Sequence, residues 1–182
     1  MRKLIRNQIV ILPFLIMLVI MSIAETDASQ SLRGRVMQVK DGDTVVVSPL
    51  EGGQFFVCRL YGIDAPETPH KNKPGQPYGE EATAYLKKLI LGQTVEVEKT
   101  GAKTYNREVC LIRKDGRDIN LEMVKAGYAW AYRQYLRRPY ASEYIEAENE
   151  ARARRLGLWQ QVNPQPPWEF RKRMSRLEQE KF

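Results

Sequence analysis

Hydrophobic and polar residues alternate along much of the region between residues 32 and 113, which predicts β-strands. Val95 and Val97 lie on one face of a cleanly alternating segment, and Gly52-Gly53 separates two β-branched or apolar runs, as in a hairpin. The five predicted strands occupy residues 32–39, 44–48, 55–61, 94–99 and 108–113.

Apolar residues at helical spacing predict three helices. The first lies between the third and fourth strands and ends at Gly92; its apolar stripe consists of Ala82, Tyr85, Leu86 and Leu89. The second runs from the N-cap Asn120 to Gly127. The third spans about 139–156, and its inner stripe consists of Tyr140, Tyr144, Ala147 and Ala151.

Five strands, one inserted helix and two following helices suit a small closed β-barrel with packed helices. The OB-fold is such a barrel, and its face commonly binds oligonucleotides. We therefore predict an α+β fold that is mainly β-barrel: an OB-fold-like five-stranded barrel with three packed helices. The chain has 182 residues, which suits one domain with small appendages.

The two ends of the chain differ from this central domain. A basic start, an apolar run at 9–23 and the small residues around Ala24 predict a secretory signal peptide or an N-terminal membrane anchor at 1–24. Residues 25–31 are predicted as a linker, and residues 32–160 as the barrel domain. Residues 161–182 are Pro-rich and then charged, and are predicted to form an extended or loosely attached tail.

Export changes the interpretation of charge and cysteine content. Removal of Arg2, Lys3 and Arg6 lowers the formal net charge from +7 to +4, so the mature chain is only mildly basic. A basic surface favours polyanions, although many globular proteins carry such a charge. In an exported protein Cys58 and Cys110 are a candidate disulfide, and two buried free thiols are the alternative.

Carboxylates cluster in two segments. Asp41 and Asp43 lie between two strands, and Asp64 and Glu67 follow the third strand, so the hairpin between them can bring the pairs together. Calcium takes several hard oxygen ligands from carboxylates, carbonyls and water. Asp-Gly-Asp is first of all a common turn sequence, so that triplet taken alone favours a plain turn over a metal site.

Two arginines occupy unusual positions. Arg59 interrupts an apolar strand, and Arg107 opens another strand in a similar way. The guanidinium group binds phosphate oxygens in pairs and stabilises charge that develops on a phosphate under attack. The alternative is that both arginines form structural ion pairs with Asp64 and Glu67.

Six motifs in order resemble the staphylococcal nuclease (thermonuclease) family across residues 32–159. They are VKDGDTVVV, FFVCRLYGIDAPET, YGEEATAYLKKLI, YNREVCLI, GYAWAYRQY and EARARRLGLW. The separated motifs agree in order and spacing, so the resemblance is specific. The later stretch PPWEFRKR is similar to tails of exported bacterial members.

The resemblance implies a role for each matching residue. Asp43, Asp64 and the backbone carbonyl of Ala65 correspond to the ligands of calcium, Ca²⁺, and Asp41 supports that site. Glu67 corresponds to the carboxylate that positions or deprotonates the attacking water. Arg59 and Arg107 correspond to the phosphate-binding arginines.

The resemblance also implies a substrate. Tyr105, Tyr132 and Tyr135 correspond to substrate-binding tyrosines, and aromatic stacking on bases tolerates any sequence. The implied activity is hydrolysis of DNA and RNA with little sequence specificity, single strands preferred, leaving 3′-phosphate ends. We expect an exported monomer, periplasmic or secreted. The alternatives are a non-catalytic OB-fold module that binds nucleic acid, and an exported structural or interaction protein.

The expected barrel suggests a pairing for the cysteines. Each cysteine lies in a strand that carries one of the two arginines, and such a barrel sets the third and fifth strands side by side. A cross-strand disulfide between Cys58 and Cys110 behind the site is therefore a hypothesis.

Overall fold

All five predicted strands are present in the computed structural model, which describes residues 31–71 and 73–180. Three two-residue strands, which the sequence patterns did not predict, are also present. The strands are β1 Ser31–Asp41, β2 Thr44–Pro49, β3 Phe56–Leu60, β4 Ile63–Asp64, β5 Thr94–Thr104, β6 Arg107–Lys114, β7 Arg117–Asp118 and β8 Trp130–Ala131. The predicted signal or anchor at 1–24 and linker residues 25–30 lie outside the described residues.

The five long strands close into a barrel. Their order is β3-β2-β1-β5-β6 through antiparallel pairs, and a parallel pairing of β3 with β6 closes the ring. β7 extends β6, and β4 pairs with β8 as a separate two-stranded sheet. The predicted OB-fold-like α+β barrel is confirmed.

The barrel interior and the helices share one hydrophobic core. Side chains that alternate along the strands point inward, so Val95 and Val97 are both buried, as predicted. Cys58 and Cys110 lie on adjacent strands within this core and form a disulfide with a Cα–Cα distance of 5.9 Å. The parallel contact between β3 and β6 therefore brings together two cysteines that are 52 residues apart.

The three predicted helices are present, with shifted ends. They are α1 Gly79–Ile90, α2 Ile119–Lys125 and α3 Tyr140–Ala153. Ala82 and Leu86 of the first stripe are fully buried, and Tyr144 and Ala151 of the third stripe are buried as well. Among residues 31–71 and 73–180, no helix is both long and apolar enough to cross a membrane.

Asn120 does not cap α2, contrary to the prediction. Asp118 caps the helix, because its side chain accepts a hydrogen bond from the Leu121 amide at 3.0 Å. Asn120 is instead buried, where it accepts from the Ile112 amide and donates to backbone carbonyls of Tyr61 and Cys110. A buried amide needs such partners, and here it ties α2 to the barrel.

The prediction of a loose C-terminal tail was wrong. Residues Pro167–Gln179 form a fourth helix, α4, with proline at its first position, where the missing amide hydrogen is not needed. Pro167 and Phe170 are buried, so one side of α4 packs on the domain. The proline-rich stretch therefore marks the start of a helix rather than the end of ordered structure.

Candidate active site

The turn between β1 and β2 places Asp43 against the segment that follows β4. Asp41 pairs with Thr44 across the hairpin, and a Cβ atom at Gly42 would lie 2.6 Å from the Cβ of Ala65. Only glycine permits this close approach. As a result, the Ala65 amide donates to Oδ2 of Asp43 at 2.9 Å.

Strand register brings Arg59 to the same point. Thr44 pairs with Arg59 across β2 and β3, which places the guanidinium group next to Asp43. Nη1 of Arg59 lies 2.6 Å from Oδ2 of Asp43, and Nη2 donates to Oδ1 of Asp64 at 2.7 Å. One guanidinium group therefore bridges two carboxylates that are 21 residues apart in sequence.

The acidic residues in this cluster are held away from water. Asp64 is fully buried, and burial is the main cause that raises its pKa to about 6; the Arg171 hydrogen bond opposes that rise. Burial, together with the charge of Asp43, likewise raises the pKa of Asp41 to about 7. Asp41 also accepts the Asp43 amide at 3.0 Å, so it supports the turn.

Arg107 reaches the cluster through a hydroxyl group. It opens β6, and its Nη1 lies 3.4 Å from Oγ1 of Thr44, which in turn donates to Oδ1 of Asp43 at 3.0 Å. The geometry favours neither predicted ion pair for Arg107, because its guanidinium group contacts the Thr44 hydroxyl and Glu67 pairs with Arg171.

Glu67 is joined to the cluster by a residue that sequence reasoning missed. Arg171 of α4 donates to Oε1 of Glu67 at 2.5 Å and to both carboxylate oxygens of Asp64 at 2.8 and 3.1 Å. A signal was present in the sequence: Trp168 and Arg171 are three residues apart after two prolines, which places both on one face of a helix.

The three predicted substrate-binding tyrosines lie in different environments. Tyr135 is 54% exposed and Tyr105 is 93% exposed. The ring of Tyr132 stacks on Trp168 with a centroid distance of 5.0 Å and an interplanar angle of 4°. One face of Tyr132 is therefore already covered by α4, whereas Tyr135 presents a free aromatic surface.

A buried glutamate supports the strand pair that carries Asp64. Asp64 pairs with Trp130 between β4 and β8, and the neighbouring Ala131 amide donates to Glu148 at 2.7 Å. Arg152 pairs with the same carboxylate at 3.0 Å, which compensates for its burial. The sequence patterns did not single out Glu148, because it lies among polar residues of a helix.

Comparisons with known proteins agree with this architecture. The profile described as "Staphylococcal nuclease homologue" matches residues 57–161. The chain belongs to the staphylococcal nuclease family.

Three relatives illustrate the similarity. An "Uncharacterized endonuclease" of Haemophilus influenzae is 35% identical over 138 residues, which cover 76% of this chain and 72% of the relative. Another "Uncharacterized endonuclease", from Escherichia coli O157:H7, is 38% identical over 143 residues, which cover 78% of this chain and 86% of the relative. A "Micrococcal nuclease" of Shigella flexneri is 36% identical over 159 residues, which cover 82% of this chain and 86% of the relative.

The donor set of this family member suits a hard cation. Among the residues that the structure describes, no group of three or more His, Cys, Asp or Glu side chains forms a metal-holding cluster. Asp43 and Asp64 nevertheless both contact one cationic group, Arg59, so their oxygens converge on positive charge. Two carboxylates, the Ala65 carbonyl and water are hard oxygen ligands of the kind that calcium takes.

The structure thus brings most of the predicted residues to one end of the barrel. Arg59, Asp41, Asp43, Asp64 and Ala65 are in direct contact, Glu67 joins them through Arg171, and Arg107 joins them through Thr44. Their roles in a reaction stay predictions.

Proposed function

We propose that this protein is a calcium-dependent phosphodiesterase that hydrolyses DNA and RNA with little sequence specificity and leaves 3′-phosphate ends. Membership of the staphylococcal nuclease family supports a nuclease, as do relatives named endonuclease and micrococcal nuclease. The observation that carries the proposal is the bridge from Arg59 to Asp43 and Asp64, with Glu67 next to Asp64.

The cluster combines acceptors for a cation with donors for a phosphate. Asp43, Asp64 and the Ala65 carbonyl would hold calcium, which when bound supplies the positive charge that polarises the phosphodiester. Arg59 pairs with both carboxylates in the metal-free site, and its guanidinium group would turn to the phosphate oxygens once calcium takes its place. Arg107 is linked to Asp43 through the Thr44 hydroxyl and would contribute a second set of hydrogen-bond donors to the phosphate.

Hydrolysis needs a water that attacks phosphorus in line with the leaving oxygen. Glu67 is 37% exposed at its side chain, so its carboxylate can hold a water and take its proton. The water oxygen bonds to phosphorus, the bond from phosphorus to the 5′ oxygen breaks, and that oxygen takes up a proton. Arg59 and Arg107 stabilise the charge that builds up on the phosphate.

The aromatic edge of the site supports the proposed substrate. Tyr135 is exposed beside Tyr132 at a centroid distance of 4.7 Å, and Tyr105 is exposed in the turn before Arg107. Stacking on unpaired bases favours single strands and tolerates any sequence. We further propose that the chain is exported, as its first 24 residues suggest, and acts as a monomer outside the cytoplasm.

Digestion of end-labelled single-stranded DNA and RNA by the purified chain tests the proposal. We expect cleavage with calcium and none with a chelator, and products that a polymerase extends only after phosphatase treatment. Glu67→Gln should lose activity by a factor of at least about 100. The matched control is Glu51→Gln, which removes the same charge from an exposed turn at the other end of the barrel strands.

Folded wild-type chain that binds single strands without cutting them would overturn the proposal. That result would favour the non-catalytic OB-fold module instead. If a polymerase extends the products without phosphatase treatment, the assignment of 3′-phosphate ends is wrong, whereas the nuclease activity itself stands.

A further inference from the structure

The carboxylate of Glu67 is positioned by a helix that is remote in sequence. Glu67 lies in the connection between β4 and α1, outside any helix or strand. Among the described residues, Arg171 is the side chain that its carboxylate contacts. The connection itself therefore does not fix this group.

Arg171 joins Glu67 to the buried Asp64 through one planar group. Nη1 is shared between Oε1 of Glu67 and Oδ1 of Asp64, and Nη2 binds Oδ2 of Asp64 at 2.8 Å. A guanidinium group presents its donors in a rigid fork, so two carboxylates on the same fork have a fixed separation and orientation. Without it, the two negative charges would repel each other.

The segment that leads into α4 also holds the backbone around Glu67. The side chain of Gln76 accepts the Glu67 amide at 3.1 Å and donates to the Gln165 carbonyl at 2.9 Å. The Gln76 amide donates to the Glu67 carbonyl at 2.8 Å. Glu67 is thus connected to the C-terminal segment through both its side chain and its backbone.

Aromatic packing fixes α4 in this position. Trp168 stacks on Tyr132 and makes an edge contact with Trp130 at a centroid distance of 5.5 Å. Phe170 is buried, and an exposed ion pair joins Lys73 to Glu178. These contacts lie on both sides of Arg171 and leave its side chain directed at the carboxylates.

We propose that Arg171 is a positioning residue for hydrolysis: it holds Glu67 in register with Asp64, so that α4 is part of the active site. This inference rests on the proposed nuclease function. With calcium held by Asp43 and Asp64, Arg171 would keep its bond to Glu67 and so would set the position of the water-orienting carboxylate. Reaction rates fall steeply when a catalytic group is misplaced by about 1 Å.

Kinetics of the full chain test this role. Arg171→Gln should lower kcat about 10- to 100-fold. KM should change less than about twofold, because the phosphate and base contacts remain. Arg171→Lys should recover part of the loss, since it restores a cation without the fork. The matched control Lys172→Gln removes an exposed charge from the same helix and should match wild type.

Two further measurements separate positioning from general damage. In the Glu67→Gln background, Arg171→Gln should lower kcat little further, because Arg171 acts on the reaction through the Glu67 carboxylate, which is already absent. Amide hydrogen exchange at 65–71 and 73–78 should be faster in Arg171→Gln than in Lys172→Gln, while exchange in the barrel strands stays unchanged.

Several outcomes would overturn the inference. An unchanged kcat in Arg171→Gln would remove the positioning role, and a raised kcat would make α4 an inhibitory plug instead. Full additivity with Glu67→Gln, or unchanged exchange in the connection, would also contradict it. If the proposed function is wrong, the wild-type chain itself is inactive. If only the positioning role is wrong, the wild-type chain is active and the Arg171→Gln variant gives one of the results above.

Discussion

Arg59 donates from Nη2 to Oδ1 of the fully buried Asp64 at 2.7 Å, while its other terminal nitrogen contacts Asp43. Removing Arg59 takes the cation away from the buried carboxylate of Asp43, whereas Asp64 keeps its pairing with Arg171. We expect Arg59→Gln to lower the free energy of unfolding without metal by about 3 kcal/mol. Chemical denaturation in the presence of a chelator measures this.

Arg107→Gln is the matched control, because its contact with Thr44 is longer and its charge is not bound to a buried carboxylate. It should change stability by less than about 0.5 kcal/mol. Both variants should lose about 100-fold or more in kcat. Equal losses of stability would contradict the bridging role of Arg59.

The stability of the metal-free protein should depend on pH through Asp41. Its pKa is raised from an ordinary value of 3.8 to about 7, so the folded state binds a proton more tightly than the unfolded state. This contribution is fully present below about pH 4 and is lost as pH rises through about 7. Asp41→Asn keeps an acceptor for the Asp43 amide but does not titrate.

We therefore expect the unfolding free energy of wild type, relative to Asp41→Asn, to fall between pH 4 and pH 7. Thermal or denaturant unfolding of both proteins across this range, with a chelator present, gives the difference. Parallel pH profiles would show that Asp41 titrates normally.

The disulfide between Cys58 and Cys110 closes a long loop within the barrel. In the chain-entropy model, a loop of this length contributes about 4 kcal/mol to stability. A reducing agent should therefore lower the denaturant midpoint of wild type. The double variant with Cys58→Ala and Cys110→Ala should be less stable than wild type and should not respond to the reducing agent. Two alkylated cysteines under non-reducing, denaturing conditions would contradict the bond.

Substitutions of Tyr132 and Tyr135 should affect protein stability and substrate binding to different extents. Tyr135 is half-exposed and its ring contacts only one edge of Tyr132, so Tyr135→Ala should lower stability less than Tyr132→Ala does and weaken binding of a single-stranded oligonucleotide about tenfold or more. Tyr132→Ala should also cost about 1 kcal/mol of stability, because it removes the stack on Trp168. Fluorescence anisotropy in the inactive Glu67→Gln background measures binding. A larger stability loss in Tyr135→Ala than in Tyr132→Ala would contradict the assignment.

Local patterns predicted the elements of the barrel well. The alternation around Val95 and Val97 and the stripe through Ala82 and Leu86 both depend on burial of one face, which leaves a periodic trace in sequence. Asn120 was assigned wrongly because a cap and a buried amide use the same residue type. Whether an asparagine caps a helix or is buried depends on which backbone groups of other elements lie next to its side chain, here those of Tyr61, Cys110 and Ile112.

The sequence by itself determined the strand and helix periods, the family resemblance and the set of carboxylates and arginines. Only the tertiary structure decided which of them meet. Arg59 contacts Asp43 because β2 and β3 pair in one register, and Arg171 reaches Glu67 because α4 packs back across the domain. Such contacts join residues up to 107 positions apart. They depend on the packing of whole elements, which leaves no local periodic signal.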